Sequence, residues 1–236
     1  MLRMENVSKA YTHRGRLVKA LDGATIHIPE GDFVSVVGPS GSGKSTLLLM
    51  LGGMLSPSQG RVLLGANSVY DLRPTERARM RRDKVGFVFQ TFNLVPYLSA
   101  LENVQVPLFL AKMEEKAQKE RASSLLERVG LADRLDHKPG ELSVGQQQRV
   151  ALARMLANDP AIILADEPTG NLDPETSQQI INFLEEFNAE GKTIVMVTHD
   201  PRAAKRAKRT LRLQNGTITC QGVGEDGAWP SDTAVA

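Results

Sequence analysis

The chain has 236 residues, enough to bury a sizeable core, and its 41% hydrophobic and 24% charged composition excludes a disordered or fibrous protein. A formal net charge of +2 is too small for the strongly basic face that nucleic-acid binding needs. One cysteine, Cys220, rules out an intrachain disulfide and fits a reducing compartment.

The chain starts with "LRMENV" and later "ATIHI", whose alternation predicts half-buried strands up to Ile28. No apolar stretch of the signal-peptide kind stands in the first sixteen residues. "DFVSVV", from Asp32, is continuously β-rich, as expected of a strand covered on both faces of a parallel sheet. A glycine-rich turn and the helix-prone "KSTLLLML" follow. The apolar run from Leu47 to Leu55 is broken by Gly52 and Gly53 and falls short of the ~20 residues of a membrane span, so any membrane role has to pass through a partner.

"GRVLL" and "VGFVF" read as strands flanking the charged helix "PTERARMRR". Cations crowd that helix and the later "PRAAKRAKR"; they read as solvated helix faces, with proximity to anionic lipid as the alternative. From residue 91 to 158 helical spacing dominates with little strand signal, which predicts a helical insertion between core segments 1–90 and 159–222. Alternation then resumes with the strand "AIILAD", a helix opened by Pro174 with Gly191 as its C-cap, and the strand "TIVMVT". Residues 223–236, polar and small apart from Trp229, read as a loose tail.

Chemistry concentrates in "GPSGSGKST". Gly38 to Ser45 match GxxxxGK[ST] between a predicted strand and a predicted helix, the context in which backbone N–H groups cradle phosphates. Gly38, Ser40, Gly41, Ser42 and Gly43 form the cradle, with Gly41 and Gly43 leaving room where a Cβ would intrude. Lys44 can reach the β and γ oxygens, Ser45 can ligate Mg²⁺, and Thr46 adds an α-phosphate contact. "AIILADEP" supplies the acidic end: Asp166 to hold the metal through its water shell and Glu167 to orient or deprotonate water. "ELSVGQQQR" places Ser143 and Gly145 at the start of a further helix, where free N–H groups would face an anion. His13, His27 and His137 have nothing at metal-ligand spacing around them and read as surface or packing residues.

"GPSGSGKST", "ELSVGQQQR" and "ILADEP" together resemble the ATP-binding cassette (ABC) ATPases over nearly the whole chain, to about Gly222. The resemblance implies an α/β fold: a P-loop NTPase core with a mostly parallel sheet, an antiparallel β subdomain and an inserted α-helical subdomain. It implies ATP hydrolysis with Mg²⁺, Gln90 of "FVFQ" touching the metal and attacking water, and His199 of "MVTHD" as the switch histidine at the γ-phosphate. Asp173 of "GNLD" becomes the acid that crosses between subunits, and Tyr11 the aromatic that stacks on adenine, an edge-strand tyrosine being the other reading. Ser143 and Gly145 then meet the γ-phosphate of ATP bound to a second copy, so a homodimer holds two composite sites. Val144 stands where the commoner LSGGQ form has glycine, harmless at φ < 0 and costly at φ > 0.

A cassette without a membrane span resembles the separate ATPase subunit of a transporter, held at the cytoplasmic face of the inner or plasma membrane by a transmembrane permease. "QTFNLVPYLSALENVQVPL" takes the place of the permease groove, offering Phe92, Leu94, Val95, Tyr97 and Leu98, much of which also has to serve as core. With "ADEPTGNLD" it most resembles the subfamily of lipoprotein-releasing and macrolide-exporting permeases. A cell-division-type regulatory cassette and a non-transport ABC protein are the alternatives; neither the long coiled coil nor the tandem cassette usual in the latter is visible.

Overall fold

A computed structural model describes residues 2–13 and 16–223. In chain order its strands are β1 (Leu2–His13), β2 (Arg16–Ile28), β3 (Phe33–Val37), β4 (Gln59–Leu64), β5 (Asn67–Ser68), β6 (Val85–Val88), β7 (Ile162–Asp166), β8 (Thr193–Val197), β9 (Arg209–Gln214) and β10 (Thr217–Val223). Its helices are α1 (Lys44–Leu51), α2 (Pro74–Lys84), α3 (Ala100–Leu110), α4 (Glu115–Arg128), α5 (Val144–Leu156), α6 (Pro174–Ala189) and the single turn α7 (Pro201–Ala204). The predicted tail lies outside the described residues from position 224 onward, and Val223, expected to open it, closes β10 instead.

The strands form two sheets. An antiparallel one runs in the order β2-β1-β4-β5, and a six-stranded one runs β10-β9-β3-β8-β7-β6, parallel except for the β9–β10 hairpin. That hairpin turns at Asn215 and Gly216, both at positive φ (51° and 78°), the Asn-Gly signal of a tight two-residue turn. β1 runs further than its opening alternation suggested, because irregularities between Met4 and Lys9, with Asn6 at φ 50°, let the pairing with β2 resume and continue through Tyr11.

Continuous apolar strands have both faces covered, as their composition demands. Ile163, Ala165, Ile194 and Met196 face a cluster with α3, α4, α5 and α6, while Leu164, Val34, Val36, Val195 and Val197 face one with α1 and the antiparallel sheet. The Arg209 guanidinium pairs with Asp32 where both are largely buried, tying β9 to the start of β3.

Register sets the ends of the parallel strands nearly level. Val36 stands opposite Val197, Val197 opposite Asp166, and Ala165 opposite Val88. The loops after β3, β6, β7 and β8 therefore leave one edge of the sheet together, the edge where open α/β sheets bind ligands.

No residue of α2 is buried, and three of its cations also make contacts at the surface. The Arg77 guanidinium lies 5.4 Å from the Tyr70 ring centre, Arg81 donates to the Gly53 carbonyl, and Arg82 pairs with Asp83.

Candidate nucleotide site

The phosphate loop leaves β3 at Val37 and enters α1 at Lys44. Gly41 and Gly43 have φ of 76° and 102°, values that favour glycine. A Cβ on Gly43 would stand 2.2 Å from the Ala20 carbonyl oxygen of β2, and one on Gly38 would stand 2.1 Å from that of Leu213. The need for glycine at these two positions thus comes from neighbouring strands as well as from any phosphate; at Gly41 the dihedral alone demands it. The buried Lys44 ammonium donates to the carbonyls of Gly38 (2.9 Å) and Pro39 (3.1 Å), which keeps its charge against the loop. Ser42 Oγ, also buried, has no hydrogen-bond partner among the described residues, an orphan that a phosphate oxygen would satisfy.

Asp166 ends β7 level with the end of β8. Burial pushes its carboxyl above the usual carboxylate range, opposed by a hydrogen bond with Ser45. One hydroxyl and one carboxylate in contact, beside a phosphate cradle, suit Mg²⁺, which takes few protein ligands and completes its octahedron with waters and substrate phosphates. No group of three or more His, Cys, Asp or Glu that could hold a metal ion occurs among the described residues.

Glu167 sits at φ 48°, a left-handed conformation unusual for a side chain of its size. Its N–H donates to the Val197 carbonyl at 2.9 Å, which anchors the turn to β8. Its carboxylate, only 14% exposed, accepts from the His199 backbone N–H at 3.2 Å and lies 2.8 Å from His199 Nδ1. An ionised carboxylate only accepts, so Nδ1 carries the proton in that contact. The turn after β7 thus brings Glu167 beside Asp166 and fastens it to the loop after β8. Gln90 lies two residues beyond the end of β6, at the same sheet edge, with its amide near Gly170.

Ser143 is the N-cap of α5. Its hydroxyl accepts from the Gln146 N–H (3.2 Å) while Gln146 Oε1 accepts from the Ser143 N–H (2.9 Å), a reciprocal capping box. Position 144 lies in helical backbone, outside the residues at positive φ, so the valine there carries no strain. Gly145 has a reason of its own within the chain: a Cβ would come 2.5 Å from Thr176 Cγ2 in the first turn of α6. Asp173 caps α6, accepting from the N–H groups of Glu175 and Thr176; a hydrogen bond from the Thr176 side chain, followed by these backbone bonds, holds its carboxyl below the usual range. Tyr11 is 41% exposed on β1, with Lys9 Nζ over its ring, 5.5 Å from the centre. His27 is held below its ordinary value chiefly by burial, in keeping with a packing residue.

Two further residues of α5 hold this arrangement together, Gln148 and Arg154. Gln148 falls within "ELSVGQQQR" without a role that the motif assigns to it, and Arg154 is marked in the chain only as a polar residue among the apolar positions of a helix.

Against known proteins, residues 21–170 match the ABC transporter family profile. An ABC transporter ATP-binding protein of Thermotoga maritima is 45% identical over 99% of both chains. The macrolide export ATP-binding/permease protein MacB of Hyphomonas neptunium is 45% identical over 92% of this chain, which spans only 34% of that protein. Among solved structures, a dimeric post-hydrolysis state of the ATP-binding cassette MJ0796 with ADP and Pi superimposes with a TM-score of 0.87, at 44% identity over 92% of this chain and 96% of that one. The strand-end loops, the phosphate cradle and these likenesses agree: the chain belongs to the ABC transporter family, as one of its ATPase cassettes.

Proposed function

We propose that this chain binds ATP·Mg²⁺ across the edge of its parallel sheet, hydrolyses it as a closed homodimer, and passes the closure to a membrane permease. The observation that carries hydrolysis, as distinct from binding, is Glu167: a strained carboxylate beside Asp166, oriented twice over by His199. In this reading Gly38 to Gly43 cradle the phosphates, Lys44 leaves its loop carbonyls for the β and γ oxygens, and Thr46 contacts the α-phosphate. Ser45, Asp166 and Gln90 would hold Mg²⁺, Asp166 through its water shell, and the metal would neutralise developing phosphate charge. Glu167 takes a proton from water as the water oxygen bonds to the γ-phosphorus and the bond to the β-bridging oxygen breaks; His199 keeps that carboxylate in place. Tyr11 stacks on the adenine. Ser143, Gly145 and Asp173 come from the opposing copy, an arrangement supported by the dimeric MJ0796 structures.

Permease coupling is supported by the MacB likeness and by an apolar surface. Leu94 is partly buried against the core, but Tyr97 stays 73% exposed, and exposed apolar side chains recur at the end of α3 with Phe109 (70%) and Leu110 (62%) and just beyond it with Met113 (37%). Phe109, Leu110 and Met113, with Leu98 and Gln118, line an open groove of about 940 Å³. Among the described residues no helix is long and apolar enough to cross a membrane. We place the chain at the cytoplasmic face through its permease, of the lipoprotein-releasing or macrolide-exporting class, with residues 91–158 as the helical subdomain that meets it.

The test is Glu167→Gln. The variant should retain ATP and accumulate as a dimer on gel filtration with turnover lost, and adding Ser143→Arg should return it to monomer with ATP still bound. Rapid hydrolysis by Glu167→Gln would move the catalytic carboxylate elsewhere, and dimerisation unaffected by Ser143→Arg would remove the half-site at α5.

A further inference from the structure

The helix that opens with Ser143 and Gly145 also grips two loops of its own chain's nucleotide site. Gln148 is 1% exposed, and its Nε2 donates to the Pro168 carbonyl at 2.7 Å, one residue beyond Glu167. Its Oε1 is buried without a partner among the described residues. The opposite amide orientation would set two acceptors 2.7 Å apart, so the orphan accompanies the Pro168 bond. Two turns further on, Arg154 forks onto the carbonyls of Asn93 (2.6 Å) and Phe92 (2.7 Å), in the loop that starts at Gln90. Burial holds this guanidinium below its ordinary value. A half-buried cation spent on two loop carbonyls, and a fully buried amide that leaves an acceptor unmet, are more than packing alone asks for.

We propose that Gln148 and Arg154 are positioning residues for hydrolysis, through which α5 sets the attitude of the Glu167 and Gln90 loops relative to its own Ser143 and Gly145 end. The idea rests on the composite-site reading: the helix end offered to the opposing copy's ATP is joined by one rigid element to the catalytic loops of its own site. A shift of α5 on dimer closure is then felt at Glu167 and Gln90 together.

Gln148→Met separates this from a structural role. Methionine is nearly isosteric, deletes the donor to Pro168 and deletes the orphaned acceptor with it, so folding is little affected while the loop is released. In steady-state ATPase assays on the whole chain, kcat should fall about tenfold with KM for ATP within about twofold, since a small misplacement of a catalytic group acts on the chemical step. The melting temperature should stay within about 2 °C. Arg154→Met should also lower kcat at constant KM, and Arg154→Lys, which reaches one carbonyl where the fork reaches two, should recover part of it. In the Glu167→Gln background, Gln148→Met should still dimerise with ATP. Unchanged kcat in Gln148→Met and Arg154→Met, no difference between the lysine and methionine variants at 154, or loss of the ATP-driven dimer in Gln148→Met would each overturn the proposal. Failure of the Glu167→Gln parent to dimerise would instead overturn the composite site on which it stands.

Discussion

Asp166 and Glu167 are adjacent carboxylates with different burdens. Asp166 continues a buried strand, so its ionised form is disfavoured by desolvation; Glu167 has turned out of the strand and is held by hydrogen bonds from His199. The raised Asp166 value fixes the sign of a pH effect. The folded state holds this proton more tightly than the unfolded chain, so the stability it contributes is present below the unfolded value near 3.8 and is lost as pH rises through the higher folded one. At neutral pH the charge is a net liability. Asp166→Asn should therefore raise the melting temperature at pH 7 while abolishing Mg²⁺-dependent turnover; a lower melting temperature at pH 7 would contradict this account of the partly buried carboxylate. Both acids could be read at a predicted strand end. That one stays in the strand and the other is strained at φ 48° with its carboxylate against His199 depends on β8 and the loop after it, which no local pattern describes.

At the scale of elements, the packing of α5 on α6 shows why a motif residue can have two reasons to exist. Gly145 is the residue expected to approach phosphate in the opposing copy, yet within its own chain it also makes room for Thr176. Alanine is the better helix former by roughly 1 kcal/mol, so Gly145→Ala would stabilise an isolated α5. In the folded chain the methyl meets Thr176 Cγ2 at 2.5 Å, and the first turn of α6, capped by Asp173, has little slack to give. Gly145→Ala should destabilise, and Thr176→Ser, which deletes the offending methyl, should restore stability when added to it. A thermal-denaturation double-mutant cycle measures the coupling, and additive effects would show that the contact carries no strain. The helix starts at Ser143, Pro174 and Pro201 were foreseeable from capping and proline chemistry, whereas the β9–β10 hairpin was signalled only by Asn215-Gly216 and is easily missed beside the louder motifs.

For the whole molecule, the proposed function draws on two surfaces of one chain, the edge of the parallel sheet and the groove along α3. If the groove receives a permease segment, Phe109→Asp with Leu110→Asp should leave ATP-driven dimerisation of the isolated chain intact but remove its co-purification with membranes; retained membrane association would place the permease elsewhere. The phosphate loop, the strand-end acids, the helix opened by Ser143 and the α/β class were all determined by the sequence itself. Glycine spacing, apolar runs and capping residues act over a few positions and need no knowledge of what lies across the sheet. Tertiary structure alone decided that Gly43 must clear the Ala20 carbonyl, that His199 orients Glu167, that Tyr97 and Phe109 stay outside while Leu94 packs against the core, and that Arg154 holds the loop at Phe92. Each joins residues far apart in the chain, and such pairings are set by strand register and by the competition of many side chains for one buried volume.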